Sequence, residues 1–139
     1  MKNDEIIDDI SGFAMPSASK FDVFKLFSLK KRTIVITGSA QGIGRVAAIA
    51  CGKAGGNIAI TDKDLKAANK LEIELKDAGI NAKSWELDIT LENKIIEVFE
   101  KISSHFGSLD VLINNAGTAH RNSAEEMKTE DFENIIKLN

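Results

Sequence analysis

Three glycines, Gly38, Gly42 and Gly44, punctuate the stretch TIVITGSAQGIGRVAAIA at residues 33–50. They lie between a short run rich in β-branched residues and an alanine-rich segment. A glycine turn between a strand and a helix can seat a phosphate: the N–H groups that open the helix are free, and its dipole favours negative charge there. Glycine permits the tight bend and lets the backbone approach a pyrophosphate closely. The spacing Gly-x-x-x-Gly-x-Gly differs from the tighter Gly-x-Gly-x-x-Gly of many dinucleotide sites. By itself the turn fits either a ligand seat or a plain bend.

Further residues take up the same chemistry. Asp62 lies 18 residues past Gly44, at the end of a second apolar run. A carboxylate there can accept hydrogen bonds from both hydroxyls of an adenosine ribose and repel a 2′-phosphate, which favours NAD over NADP. Lys63 beside it softens that repulsion. Asp62 could instead cap the next helix, but Asp64 is better placed for that task. Asp88 ends a third run as a further candidate or as a helix cap, and Ile89 next to it can cover an adenine face. The amides and glycine of NNAG, residues 114–117, end a fourth run and suit a polar crevice.

The elements that position these residues alternate regularly. RTIVITG, NIAITD, NAKSWELD and LDVLINNAG read as strands. GIGRVAAIACGKAGG reads as a helix stopped by Gly55 and Gly56. DLKAANKLEIELKDAG is a second helix, its apolar stripe Leu65, Ala68, Leu71, Leu75 and Ala78. A third carries Leu91, Ile95, Phe99, Ile102 and Phe106 behind Thr90 as N-cap, and TEDFENIIKLN opens a fourth behind Thr129. Strands alternating with helices imply an α/β doubly wound parallel sheet (a Rossmann sheet) covered on both faces, with strand order 3-2-1-4. All the candidate residues then gather at one edge of the sheet.

Residues 1–31 are expected to form a flexible N-terminal arm with a docking segment, and residues 32–139 the dinucleotide-binding unit. In the arm, Phe21, Phe24 and Phe27 are spaced to dock one apolar side onto the body, with a partner-binding or oligomer-forming arm as the alternative. The 139 residues carry a net charge of −3, with 43% hydrophobic and 28% charged residues. No basic patch suggests nucleic acid as a partner, and no apolar run approaches the roughly 20 residues of a membrane span. The acidic start MKNDEIIDDI is unlike a secretory signal. A lone cysteine, Cys51, allows no internal disulfide and is expected to pack; a cytoplasmic setting fits. His105 and His120 are far apart and lack ligand-like neighbours, so no metal site is expected. Trp85 is expected to pack against a helix beside the third strand.

TGSAQGIG followed by NNAG about 70 residues later resembles the short-chain dehydrogenase/reductase family, over residues 28–139. The resemblance implies a Rossmann-fold NAD(P)-dependent oxidoreductase, commonly a homo-oligomer, acting on a small alcohol or ketone. It implies that Gly38, Gly42, Ile43 and Gly44 hold the pyrophosphate, Asp62 the ribose and Asp88 the adenine. Asn115 and Gly117 would line the nicotinamide side. Asn139 would match the asparagine of the catalytic tetrad and support a water in the proton relay. LFSLKKRTIVITGSAQGIG and INNAGTAHRNSAEEM are similar to members acting on sugars and polyols; another alcohol or ketone is the alternative. His120 and Arg121 fall where the family's substrate loop lies, as a substrate contact or a solvated loop.

The family's chemistry also needs a serine and a Tyr-x-x-x-Lys pair. The tyrosine is the general acid/base, and the lysine lowers its pKa. This chain contains no tyrosine. A four-strand sheet would also leave the fourth strand as an open edge. The expectation is therefore a partial sequence of a longer enzyme, inactive by itself; a non-catalytic nucleotide-binding module and a truncated, inactive product are the alternatives.

Overall fold

A computed structural model describes residues 7–8, 14–15, 22–119, 123 and 125–139. Within the arm, β1 (Ile7–Asp8) pairs antiparallel with β2 (Ala14–Met15), and α1 (Val23–Leu26) is one short turn capped by the Asp22 carboxylate. The body then alternates: β3 (Thr33–Thr37), α2 (Gly42–Lys53), β4 (Asn57–Asp62), α3 (Leu65–Asp77), β5 (Ala82–Glu86), α4 (Glu92–Phe106), β6 (Val111–Ile113) and α5 (Thr129–Leu138). The sheet has the order β5-β4-β3-β6. Counted along its own four strands this is 3-2-1-4, all parallel.

Alternation along the strands sorts the core into two layers. Ile34 and Ile36 of β3 and Ile58 and Ile60 of β4 face Ala48 of α2 and Ala68, Leu71 and Leu75 of α3. Val35 and Ala59 face the other way, onto Val98 and Ile102 of α4, with Trp85, Phe99 and Phe106 packed around them. β3 is buried at all five positions, as expected for a strand covered on both faces. At its start, Asp110 accepts from the Thr33 N–H at 2.8 Å and from Arg32 at 3.0 Å, which ties the entry of β6 to the entry of β3.

Three local expectations change. The phenylalanine stripe does not dock: Phe24 is 90% exposed and Phe27 73%, while Phe21 lies outside the described residues. The segment is anchored instead by Leu29, which packs on the core and donates its N–H to the Ala54 carbonyl at 2.9 Å. Thr90 does not cap α4: its hydroxyl and N–H both turn back to the nearer, charged Asp88 carboxylate, and Leu91 stands uncapped at the helix start. Thr129 is the first residue of α5 rather than its cap, so its side chain satisfies no N–H there. Leu65 and Leu91, at the leading ends of their stripes, are also exposed. Asp64 caps α3 as expected, accepting from Ala67 N–H at 2.9 Å.

A buried carboxylate on the apolar side of α3 escapes any periodicity argument. Glu72 accepts from the Ser84 N–H at 2.7 Å and hydroxyl at 2.5 Å, and from Lys76 at 2.6 Å, with Lys83 at 3.5 Å. It thereby satisfies an N–H on β5, the outer strand of the sheet. Burial alone would raise its pKa, but the bonds from Lys76 and Ser84 and the Lys83 charge outweigh that and hold it at about 2, against 4.5 ordinarily. A pKa depressed on folding means stability that is complete above the unfolded value and lost as pH falls. Urea midpoints should therefore decline from about pH 4.5 towards pH 2. Glu72→Gln should lower stability at neutral pH by about 1–3 kcal/mol and flatten that part of the acid slope.

Candidate nucleotide-binding cleft

The carboxyl ends of the four parallel strands open into one cleft of about 800 Å³. One wall is the turn from β3 into α2. The opposite wall is residues 115–118 after β6, together with Asn134, Lys137 and Leu138 of α5. Leu87, Asp88, Ile89 and Thr90 close one end.

The turn is shaped by close approach. Gly38 has φ +62°, and a Cβ there would stand 2.8 Å from Cα of Ala116. A Cβ on Gly44 would stand 2.5 Å from both the Gly38 carbonyl oxygen and the Asn115 amide. Gly42 differs, since a Cβ there would meet nothing within 4 Å, on the open side of the turn. Gly44 is thus a packing glycine beneath the turn, whereas Gly38 and Gly42 line the cleft with the exposed Ile43.

Thr37, the last residue of β3, holds the two walls together, and no motif argument had singled it out as a site residue. Its hydroxyl accepts from the N–H groups of Asn115 and Ala116, both at 3.0 Å, and donates to the Ile113 carbonyl at 3.4 Å. The Asn115 side-chain amide donates to the carbonyls of Thr37 at 2.9 Å and Gly38 at 3.0 Å. Asn115 therefore contributes to the site chiefly by fixing its floor. The only advance signal for Thr37 is its place as the threonine that opens TGSAQGIG.

Asp62 bridges the two ends of the turn region: Oδ2 accepts from Ala40 N–H and Oδ1 from Asp64 N–H, both at 3.0 Å. Each carboxylate oxygen keeps a further lone pair for a ligand hydroxyl. Asp88 accepts from the Thr90 hydroxyl at 2.7 Å and N–H at 2.9 Å. Those bonds hold its carboxyl below the usual range, with Lys63 and Lys137 adding their charge, so it is an acceptor at neutral pH. Gly117 lines the cleft, and its neighbour Thr118 forms a closed pair with Asn139: Thr118 N–H donates to Oδ1 at 2.9 Å, and Nδ2 donates to the Thr118 carbonyl at 3.0 Å. The Asn139 side chain is thus engaged with the backbone, while a Cβ on Gly117 would stand 2.9 Å from its Oδ1. His120 and Arg121 lie outside the described residues. His105 packs edge-on against Trp85 and Phe106 at the far end of α4, and Cys51 packs on the core, where burial raises its thiol pKa.

The donor set suits an anion. No side chain caps α2, no acidic residue stands in its first turn, and among the described residues the N–H groups of Gly42, Ile43 and Gly44 have no acceptor. The positive end of the helix dipole is therefore directed into the cleft without internal compensation.

A cleft at the carboxyl ends of a parallel sheet, walled by a glycine turn and an uncapped helix, defines a doubly wound nucleotide-binding fold. The profile of the short chain dehydrogenase family matches residues 32–139, and the chain belongs to that family. It is similar to 5-keto-D-gluconate 5-reductase of Escherichia coli strain K12, with 37% identity over 114 residues, 82% of this chain and 45% of that one. It is also similar to sorbose reductase of Candida albicans, with 35% identity over 104 residues, 75% of this chain and 37% of that one. Among solved structures, a hydroxysteroid dehydrogenase from Escherichia coli superposes with a TM-score of 0.76 at 31% identity, covering 81% of this chain and 48% of that one. A short-chain type dehydrogenase/reductase from Mycobacterium marinum gives 0.80 at 26%, covering 84% and 47%. The chain spans about half the length of these relatives or less.

The two glycines in the first turn of α2 should separate in thermal melts. Gly44→Ala drives a methyl into backbone and should cost about 3 kcal/mol, in the upper range for overpacking. Gly42→Ala meets only the left-handed strain and should cost about 1–2 kcal/mol. Equal losses at both positions would contradict the described packing.

Proposed function

We propose that this chain binds NAD and forms the cofactor side of an oxidoreductase that moves a hydride between nicotinamide and a carbinol or ketone. The observation that carries the reading is the uncapped α2 N-terminus, whose first residues Gly42 and Ile43 line the same cleft as the carboxylates of Asp62 and Asp88. In this reading the N–H groups of Gly42, Ile43 and Gly44 hold the pyrophosphate, with Gly38 shaping the turn beneath them. Asp62 accepts from the ribose hydroxyls, Asp88 from the adenine amino group, and Ile89 covers the adenine face. Asn115 and Gly117 shape the nicotinamide side, and Asn139 holds Thr118 and thereby that wall. Each end of the Asn139 amide keeps further hydrogen-bonding capacity, with which it would support a water in the proton relay. Bound nicotinamide would supply the hydride acceptor or donor.

NAD is favoured over NADP because Asp62 is held facing the cleft by Ala40 and Asp64, where a 2′-phosphate would meet its charge. A sugar or polyol substrate is favoured by the names of two relatives, a ketogluconate reductase and a sorbose reductase. The chain has no tyrosine, so the family's tyrosine general acid/base has no counterpart in these residues. The 139 residues are accordingly proposed to bind cofactor without turnover, the complete reaction and any homo-oligomer belonging to a longer protein, with a cytoplasmic setting. A stop codon directly after Asn139 in the gene would count against that longer protein.

Titration of the 139-residue chain with NADH, followed by its fluorescence, should show saturable binding. NADPH should bind about tenfold more weakly, a difference of about 1.4 kcal/mol. Asp62→Ala should weaken NADH and narrow that gap. A flat NADH titration by the folded chain would contradict cofactor binding, and equal affinity for NADH and NADPH would contradict the role of Asp62.

A further inference from the structure

The segment from Asp22 to Arg32 combines exposed apolar side chains with a cluster of positive charge. Val23, Phe24, Leu26 and Phe27 are 49%, 90%, 65% and 73% exposed, on one short turn that buries nothing. Four of these eleven residues are basic and one is acidic, in a chain whose net charge is −3. Lys25, Lys30 and Lys31 are exposed. Lys25 has only a 3.7 Å contact with Asp22, and among the described residues Lys30 and Lys31 face no carboxylate. Lys31 also stands at φ +65°, the one non-glycine residue with positive φ among the described residues. A side chain there costs about 1–2 kcal/mol that glycine would not incur. Such strain points to a use for the side chain.

We propose that this face docks onto an anionic lipid bilayer, with Phe24, Leu26 and Phe27 entering the interface and Lys25, Lys30 and Lys31 meeting the headgroups. Apolar side chains flanked by lysines fit an interfacial anchor, which combines shallow apolar burial with attraction to anionic lipid. Phenylalanine serves protein–protein interfaces as well, but lysine is depleted there, the segment holds neither Trp nor Tyr, and Arg32 is already paired to Asp110 at 3.0 Å. Leu29 ties the segment to the body through Ala54, so the face is presented from a fixed base. Among the described residues no helix is long and apolar enough to cross a membrane, and the proposed contact is peripheral. It is independent of the cofactor reading.

The test is co-sedimentation of the 139-residue chain with vesicles of phosphatidylcholine alone or with about a third phosphatidylserine. The chain should sediment with the anionic vesicles, release in high salt and remain largely free of the neutral ones. Phe24→Ser with Phe27→Ser should abolish binding while thermal melts stay unchanged, since neither residue is buried. Lys31→Gly separates charge from folding: it should raise the melting temperature yet weaken vesicle binding about fivefold. No sedimentation with anionic vesicles, or equal binding to neutral ones, would overturn the proposal. So would a wild-type dimer that binds no vesicles and becomes monomeric on Phe24→Ser, which would assign the face to a second copy of the chain.

Discussion

The structure depends most on one constraint: β3 must end within contact distance of the end of β6 and still turn into α2. Gly38 lies so near Ala116 that a side chain would have no room, and Gly44 lies as near the Gly38 carbonyl and Asn115. The Thr37 hydroxyl then answers two N–H groups and one carbonyl on the β6 side. An unmade bond to any of these partly buried groups costs free energy that the made one avoids. The turn is therefore held from beneath, and its upper surface, with the free amides of α2, is left for a ligand.

The two-layer core explains why the turn lies at the rim of a cleft. Because β3 is buried on both faces, its ligand-facing groups can appear only at its end. The same holds for β4, which delivers Asp62 to the rim, and for the chain after β5, which delivers Asp88. Parallel strands bring all these ends to one side. The residues that line the cleft are thus spread from Gly38 to Leu138, about 100 residues of sequence, yet surround a single space.

Much of this was legible in the sequence because it follows from periodicity and glycine placement. The β-branched runs became the parallel strands in the expected order, and Asp64 became the cap its position suggested. What was not legible followed from competition between neighbours. Thr90 and Thr129 each have the composition of a cap, but Thr90 is captured by the carboxylate of Asp88, and Thr129 begins one residue too late. The Phe24 and Phe27 spacing fits a docked face, yet Leu29 reaches the core first and leaves them outside. Glu72 lies outside the apolar stripe Leu65, Ala68, Leu71, Leu75 and Ala78, and only the fold brings Ser84 and Lys83 against it. Most of the residues that line the cleft were visible in the sequence, but what each side chain bonds to was not. At Gly44 the side-chain position is closed off by the protein although its N–H has no acceptor, and the side chains of Asn115 and Asn139 are bonded to backbone, whereas Gly42, Asp62 and Asp88 keep capacity for a ligand.

That division of labour is most directly tested by amide chemical shifts of the folded 139-residue chain on adding NADH. The account predicts the largest changes at the N–H groups of Gly42, Ile43 and Gly44, with smaller ones at residues 62–64 and 88–90. It predicts little change in α3 and at Ser84. Large shifts centred on α3 or β5, with the α2 amides unmoved, would contradict it.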